Sequence, residues 1–305
     1  MCLIRVFDRK KRIEAEDRAP VHSHEAPDTA REGRMASTKD YVLGTHDEEI
    51  ERLGLQHRAW RLHAQEAWHS AGIGPGQVVL DVGCGPGYAA LDLAEMLGSS
   101  GRVVAIDKSE RFLRALDATC RERHICNITT HSADLEADEF PTVVADRAWC
   151  RWVLAFVKNP RTILARIAAA LAPNSVMVLH EYFDYSTWRA APRCPELEEF
   201  VSVVMASWRD SGGEPDIGLC LPLWLEELGF EIRAARPIID IVSPDHPSWT
   251  WLATFVQVGR SRLIEMGYVS PSRAESMWQA FINFQATAGA RMITPGVLEI
   301  IAARR

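Results

Sequence analysis

The chain has 305 residues, enough for one large domain or two small ones, and 47% of them are apolar, which allows a sizeable core. A formal charge of −7 argues against a general affinity for nucleic acid. No apolar run approaches the roughly 20 residues that span a bilayer, and the opening apolar segment is too short for a secretory signal, so a soluble cytoplasmic protein is expected.

Residues 1–40 mix both charge signs with Pro20, Pro27 and Gly33 and show no apolar period, the composition of a disordered tail. Residues 41–305 read as one folded domain. From Asp47 to Ser70 the residues Ile50, Leu53, Trp60, Ala64, Ala67 and Trp68 recur at helical spacing. A strand follows at Gln77–Asp81, then the turn Gly83-Cys84-Gly85-Pro86-Gly87, then a helix from Tyr88 to Leu97. Arg102–Asp107 is a second strand, and Ser109 caps the next helix. Asn127–Asp134 and Thr142–Cys150 read as the third and fourth strands, Asn159–Leu171 as a helix, and "SVMVLHEYF" as the fifth strand. Strands alternating with helices predict an α/β fold with a doubly wound, mostly parallel sheet. Two helices are expected at Cys194–Asp210 and Leu219–Leu228, then a strand from Phe230. A helical insertion over residues 244–290 precedes a last strand, "GVLEIIAAR".

Seven cysteines, scattered and without a CxxC pair, read as reduced thiols, so neither a disulfide framework nor a metal site is expected. Cys84 reads as a small filler of the turn. The turn is G-x-G-x-G, neither the G-x-G-x-x-G of dinucleotide folds nor a P-loop. Asp81 ends the first strand, Asp107 the second, and Asp134 follows the third. Their strand ends converge on the crevice where open α/β sheets bind ligands, and an acid after the second strand can take both ribose hydroxyls. The turn itself holds no lysine or arginine, which disfavours a polyphosphate and suits a nucleoside.

The run "LDVGCGPG", "VVAID", "SADLE" and "LAPNSVMVLHEYF", in this order, resembles the class I S-adenosylmethionine-dependent methyltransferases. The resemblance covers Tyr41 to Arg305 and is nearest to the small-molecule branch that includes the quinone C-methyltransferases. It implies a seven-stranded sheet with an antiparallel hairpin at one edge. It also implies a cap, formed by the helix 47–70 and the insertion 244–290, that covers an acceptor pocket. S-adenosylmethionine is then the expected cofactor. The resemblance places Gly83, Gly85 and Gly87 against its methionyl and ribose parts and Asp107 with Lys108 at the ribose. Ala133 and Asp134 would hold the adenine, and Asp81 would orient the ammonium.

Methyl transfer from a sulfonium is an in-line displacement that needs positioning and exclusion of water. Candidate acceptor-binding residues are Tyr41, His57, Trp60 and Arg61 on the N-terminal segment, and Trp149, Arg151, Trp152 and Tyr182 after the fourth and fifth strands. His180 is the candidate general base with Glu181 to orient it, against a reading as a packed strand-end histidine. Arg151 or Arg61 is a candidate clamp for an acceptor carboxylate. With no compelling acid–base pair and many tryptophans, a thioether sulfur or amine nitrogen is the preferred acceptor atom, as in a methionine-like amino acid. Carbon or oxygen methylation of a quinone, phenol or other natural product is the alternative. A non-catalytic regulatory module that binds the cofactor and a dinucleotide-dependent oxidoreductase are the readings from other classes. The expected partner is a small-molecule acceptor, with no nucleic acid and no membrane, and a homodimer is left open.

Overall fold

A computed structural model describes residues 47–305. The expected tail at 1–40 and the candidate Tyr41 lie outside the described residues. Helix α1 spans Asp47–Ser70. The first half then alternates: β1 (Val78–Val82), α2 (Tyr88–Leu97), β2 (Arg102–Asp107), α3 (Glu110–Glu122), β3 (Ile128–Ser132), β4 (Ala145–Arg151), α4 (Pro160–Ala169) and β5 (Leu171–Asp184). The second half holds β6 (Arg189–Ala191), α5 (Pro195–Asp210), α6 (Leu221–Glu227), β7 (Phe230–Ile238) and β8 (Ile241–Val242). It closes with α7 (Pro247–Glu265), α8 (Pro271–Gln285), β9 (Arg291–Ile293) and β10 (Gly296–Arg304).

Seven strands form one sheet in the order β3-β2-β1-β4-β5-β10-β7. Strands β1 to β5 pair in parallel, and β10 runs antiparallel to both β5 and β7. The order reverses at β1, whose neighbours are β2 on one side and β4 on the other, and this switch point opens a crevice at the carboxyl ends of the strands. The register brings the crevice residues level: Asp81 lies opposite Trp149, and Arg151 opposite His180.

Both faces of the sheet are buried, and strand period two divides the side chains between them. Val79, Val103, Ala105, Val176 and Val178 pack on one face with Trp68, Leu93 and Leu97. Leu80, Val82, Val104, Ile106, Met177 and Leu179 pack on the other, under the aromatic side chains of the second half. Helices α5, α7 and α8 pack on one another, and α7 also packs on α1, so the cap joins the two ends of the described chain. The three-stranded sheet β6-β9-β8 was not expected from the sequence. Its strands, of three residues or two, carry too little pattern to read. Among the described residues no helix is long and apolar enough to cross a membrane.

Candidate functional site

The turn after β1 keeps its glycines for two different reasons. Gly83 has φ +68° and would drive a Cβ into Val153. Gly87, φ +82°, is the N-cap of α2 and would drive one into Leu116. Gly85 meets only Leu53, 4.0 Å away, so its backbone faces open space. Gly83 and Gly85 line a cavity of about 170 Å³, whereas Gly87 lies outside its lining and serves helix packing.

Asp107 joins β2 to this turn. Its Oδ2 accepts from the Gly85 N–H at 2.8 Å and its Oδ1 from the Ser109 N–H at 2.8 Å. Each oxygen keeps a further lone pair. Burial raises its pKa, and the two backbone bonds oppose that shift. Asp134, Lys108 and Phe112 line the same cavity. Asp134 is fixed by the Glu136 N–H, 2.9 Å from its Oδ1. Ala133 is buried beneath the lining, where its N–H donates to the Asp107 carbonyl at 3.1 Å. The Cys84 thiol is buried and its pKa pushed well up by desolvation, as befits a filler.

Two buried, opposite charges face this cavity with unused hydrogen-bonding capacity. Asp81 is 2% exposed, and its Oδ2 has no partner among the described residues. Desolvation pushes its pKa up to about 7, against the pull of Arg151. Arg151 is buried too, and its pKa is lowered to about 10 by desolvation. The guanidinium lies over the rings of Trp149 and Trp152, 5.6 and 5.1 Å from their centroids. Its Nη2 donates to His57 Nδ1 at 3.1 Å, while Nη1 has no partner among the described residues. His57 Nε2 in turn lies 3.0 Å from Asp92 Oδ2. Burial lowers the His57 pKa, so the neutral ring donates from Nε2 and accepts at Nδ1. Unpaired charged groups this deep call for a ligand with both signs.

A second, narrow space with about 20 Å³ of its own room adjoins the first. Gln56, Trp152 and Phe156 line both. Its other walls are aromatic: Tyr182, Tyr185, Trp208, Trp251 and Phe255, with Leu252 and Arg52. Trp152 stacks on Tyr182 at 5.4 Å and on Trp251 at 5.6 Å. Arg52 is the charged group of this lining. It is 3% exposed and pairs through two bonds of 2.7 Å with Glu49, which is not part of the wall.

The structure brings together Asp81, Gly83, Gly85, Asp107, Lys108, Asp134, His57, Trp149, Arg151 and Trp152 in the first cavity, and Trp152 with Tyr182 in the second. It does not bring in His180 or Glu181, and this corrects the expected catalytic pair. His180 is fully buried, bonded through Nε2 to Glu299 at 3.1 Å and packed on Trp149. Desolvation lowers its pKa to about 4. Glu181 accepts backbone N–H groups from Val153 and Leu154 at 2.8 Å and from Ala155 at 3.4 Å, so it anchors the turn after β4. Trp60 is buried behind Trp152, and Arg61 pairs with Asp92 at 2.7 Å; neither lines these two spaces. Sequence reading missed Gln56 and Arg52. They sit one helical turn apart on α1, and only their contacts with the cap reveal them.

Residues 79–174 match the profile of the methyltransferase domain family. The chain is 30% identical over 174 residues to the 2-phytyl-1,4-naphtoquinone methyltransferase of Synechococcus elongatus, a match covering 55% of this chain and 69% of that protein. The chain belongs to the class I S-adenosylmethionine-dependent methyltransferases. The ubiquinone/menaquinone biosynthesis C-methyltransferase of Hydrogenovibrio crunogenus is also 30% identical, over 161 residues. That match spans 52% of this methyltransferase-family chain and 62% of the relative's length. A cyclopropane synthase of Mycobacterium tuberculosis shares the methyltransferase fold with a TM-score of 0.53 at 15% identity, covering 80% of this chain and 83% of that one.

Proposed function

We propose that the protein transfers a methyl group from S-adenosylmethionine to carbon or oxygen of a small, flat aromatic acceptor of the phenol or quinol type. The observation that carries this reading is the pair of adjoining spaces. One is lined by the glycine turn and three strand-end carboxylates, the other by aromatic rings, and Trp152 stands between them. Asp107 takes the ribose hydroxyls, and Asp134 lies at the adenine. The unpartnered Asp81 Oδ2 and Arg151 Nη1 take the ammonium and carboxylate of the amino-acid end. These residues fit the cofactor because one atom of each buried charge, Asp81 Oδ2 and Arg151 Nη1, lacks a partner among the described residues. When bound, S-adenosylmethionine supplies a sulfonium methyl, which passes to the acceptor's nucleophilic atom while the C–S bonding pair stays on sulfur.

The chamber moves the reading away from the thioether or amine acceptor. Arg52 is already held by both oxygens of Glu49, so the walls are aromatic with little net charge and suit a flat neutral ring. Among the described residues that line the chamber none is a base. Burial raises the Tyr185 pKa, and Tyr182 is a second phenol. The acceptor's proton is therefore taken up by water rather than by one of these side chains. Both quinone-methylating relatives favour the same chemical class. Labelled S-adenosylmethionine incubated with phenols, quinols, amines and thioethers tests this reading. Label on phenolic carbon or oxygen supports it, label only on nitrogen or sulfur refutes the acceptor class, and cofactor binding without any turnover would favour the regulatory module.

A further inference from the structure

Gln56 lies on α1 where both spaces meet. Its Oε1 accepts from two donors at once, Arg52 Nη1 at 3.0 Å and Trp251 Nε1 at 3.1 Å. Two donors on one oxygen fix which way the amide is turned, because the reversed amide would set its N–H groups against both. Nε2 makes no hydrogen bond within the described residues, and the residue is only partly buried. Its N–H groups are therefore a preset pair of donors at the boundary of the two spaces. Arg52 itself is committed to Glu49 and to this amide oxygen. The Trp152 Nε1 has no partner among the described residues either.

We propose that Gln56 selects the acceptor: its Nε2 donates to a carbonyl or phenolate oxygen on an aromatic ring bound where the two spaces meet, and rings lacking that oxygen bind more weakly. The proposal rests on the acceptor-site reading above and adds the group that recognises the substrate. A neutral amide donor to a ring oxygen makes about tenfold in affinity, the size of one well-formed hydrogen bond. Trp251 Nε1 and Arg52 hold the amide from opposite sides of the sequence, so the donor is oriented before any ligand arrives. That orientation removes part of the ordering cost of binding.

Equilibrium dialysis of the full chain against 2-naphthol, 1-tetralone, naphthalene and benzyltrimethylammonium, each with and without saturating S-adenosylhomocysteine, tests this directly. The wild type is expected to bind the two oxygen-bearing rings about tenfold more tightly than naphthalene, and benzyltrimethylammonium most weakly. Gln56→Glu keeps an oxygen for Arg52 and Trp251 but removes the N–H donors. Gln56→Met keeps the length and removes both functions. In each variant the preference for oxygen is expected to shrink below about threefold with naphthalene binding unchanged. A preference that survives both substitutions, or naphthalene binding that falls in parallel with naphthol, overturns the proposal, as does tightest binding of the cation. Failure of S-adenosylhomocysteine to bind the wild type strikes the methyltransferase reading instead, and the arms without it still decide the role of Gln56.

Discussion

Asp81 carries a testable consequence of its burial. With its pKa near 7, the free protein holds a proton on this carboxyl over the acid range. An ammonium ligand requires the carboxylate, so binding expels that proton and the complex holds fewer protons than the free protein. Affinity for S-adenosylhomocysteine is therefore expected to rise with pH by up to about tenfold per unit below about 7, and to fall again above about 8 as the ligand's own amine deprotonates. Calorimetry in buffers of different ionisation enthalpy would register the released proton, and Asp81→Asn should flatten the acid limb. An acid limb that persists in Asp81→Asn assigns the proton elsewhere. His180 gives the opposite expectation. Because it lies outside both spaces and serves Glu299, His180→Leu should leave turnover within about threefold, whereas loss of a general base costs about 10²–10⁴-fold. Stability should drop by roughly 1–3 kcal/mol as Glu299 loses a buried partner. A hundredfold fall in turnover at unchanged cofactor affinity would restore the base. The sequence "VLHEYF" puts His180 at a strand end, which is why it reads as a candidate. Its partner stands 119 residues away and leaves no local signal.

Elements of the first half are legible because each carries its own period and its own stop. Glycines end β1, Ser109 caps α3 through the Phe112 N–H at 3.3 Å, and Pro160 opens α4. The turn after β4 is not legible, since what holds it comes from the neighbouring strand. Trp152 adopts φ +53°, a conformation that costs a non-glycine residue about 1–3 kcal/mol. It is retained by the Trp152 N–H bond to the His180 carbonyl at 3.0 Å and by the three N–H groups gathered on Glu181. Glu181→Ala leaves those donors unpaired in the core, and a loss of roughly 2–4 kcal/mol is expected in denaturant unfolding. The acceptor KM should rise more than the cofactor dissociation constant if Trp152 walls the acceptor site as proposed. Equal loss of both would mean that the turn supports the cofactor cavity alone.

At the scale of the molecule, the alternation of strands and helices suffices to place the crevice, because a parallel sheet that reverses order at β1 opens only there. The cap is legible as an excess of tryptophans but not as a chamber, since Gln56 and Trp251 meet across 195 residues of sequence. The first cavity is walled by residues 53 to 157, drawn from α1, the turn after β1, the ends of β2 and β4 and the loop after β3. A ligand filling it contacts elements that separate on unfolding, so its binding energy becomes folding energy. S-adenosylhomocysteine at 100 times its dissociation constant is expected to stabilise the native state by about 2.7 kcal/mol. In a domain of this size that raises the melting temperature by about 5 °C or more. NAD at the same concentration should give no shift, because the turn lacks the G-x-G-x-x-G spacing that receives a dinucleotide pyrophosphate. Asp107→Ala should remove most of the stabilisation, since the ribose loses charge-assisted bonds worth roughly 2–3 kcal/mol. The substitution also frees the Gly85 and Ser109 N–H groups, so the variant's own melting temperature without ligand is the baseline for its shift. A full S-adenosylhomocysteine shift in folded Asp107→Ala would remove Asp107 from the ribose site, and a shift with NAD but not with S-adenosylhomocysteine would overturn the cofactor assignment.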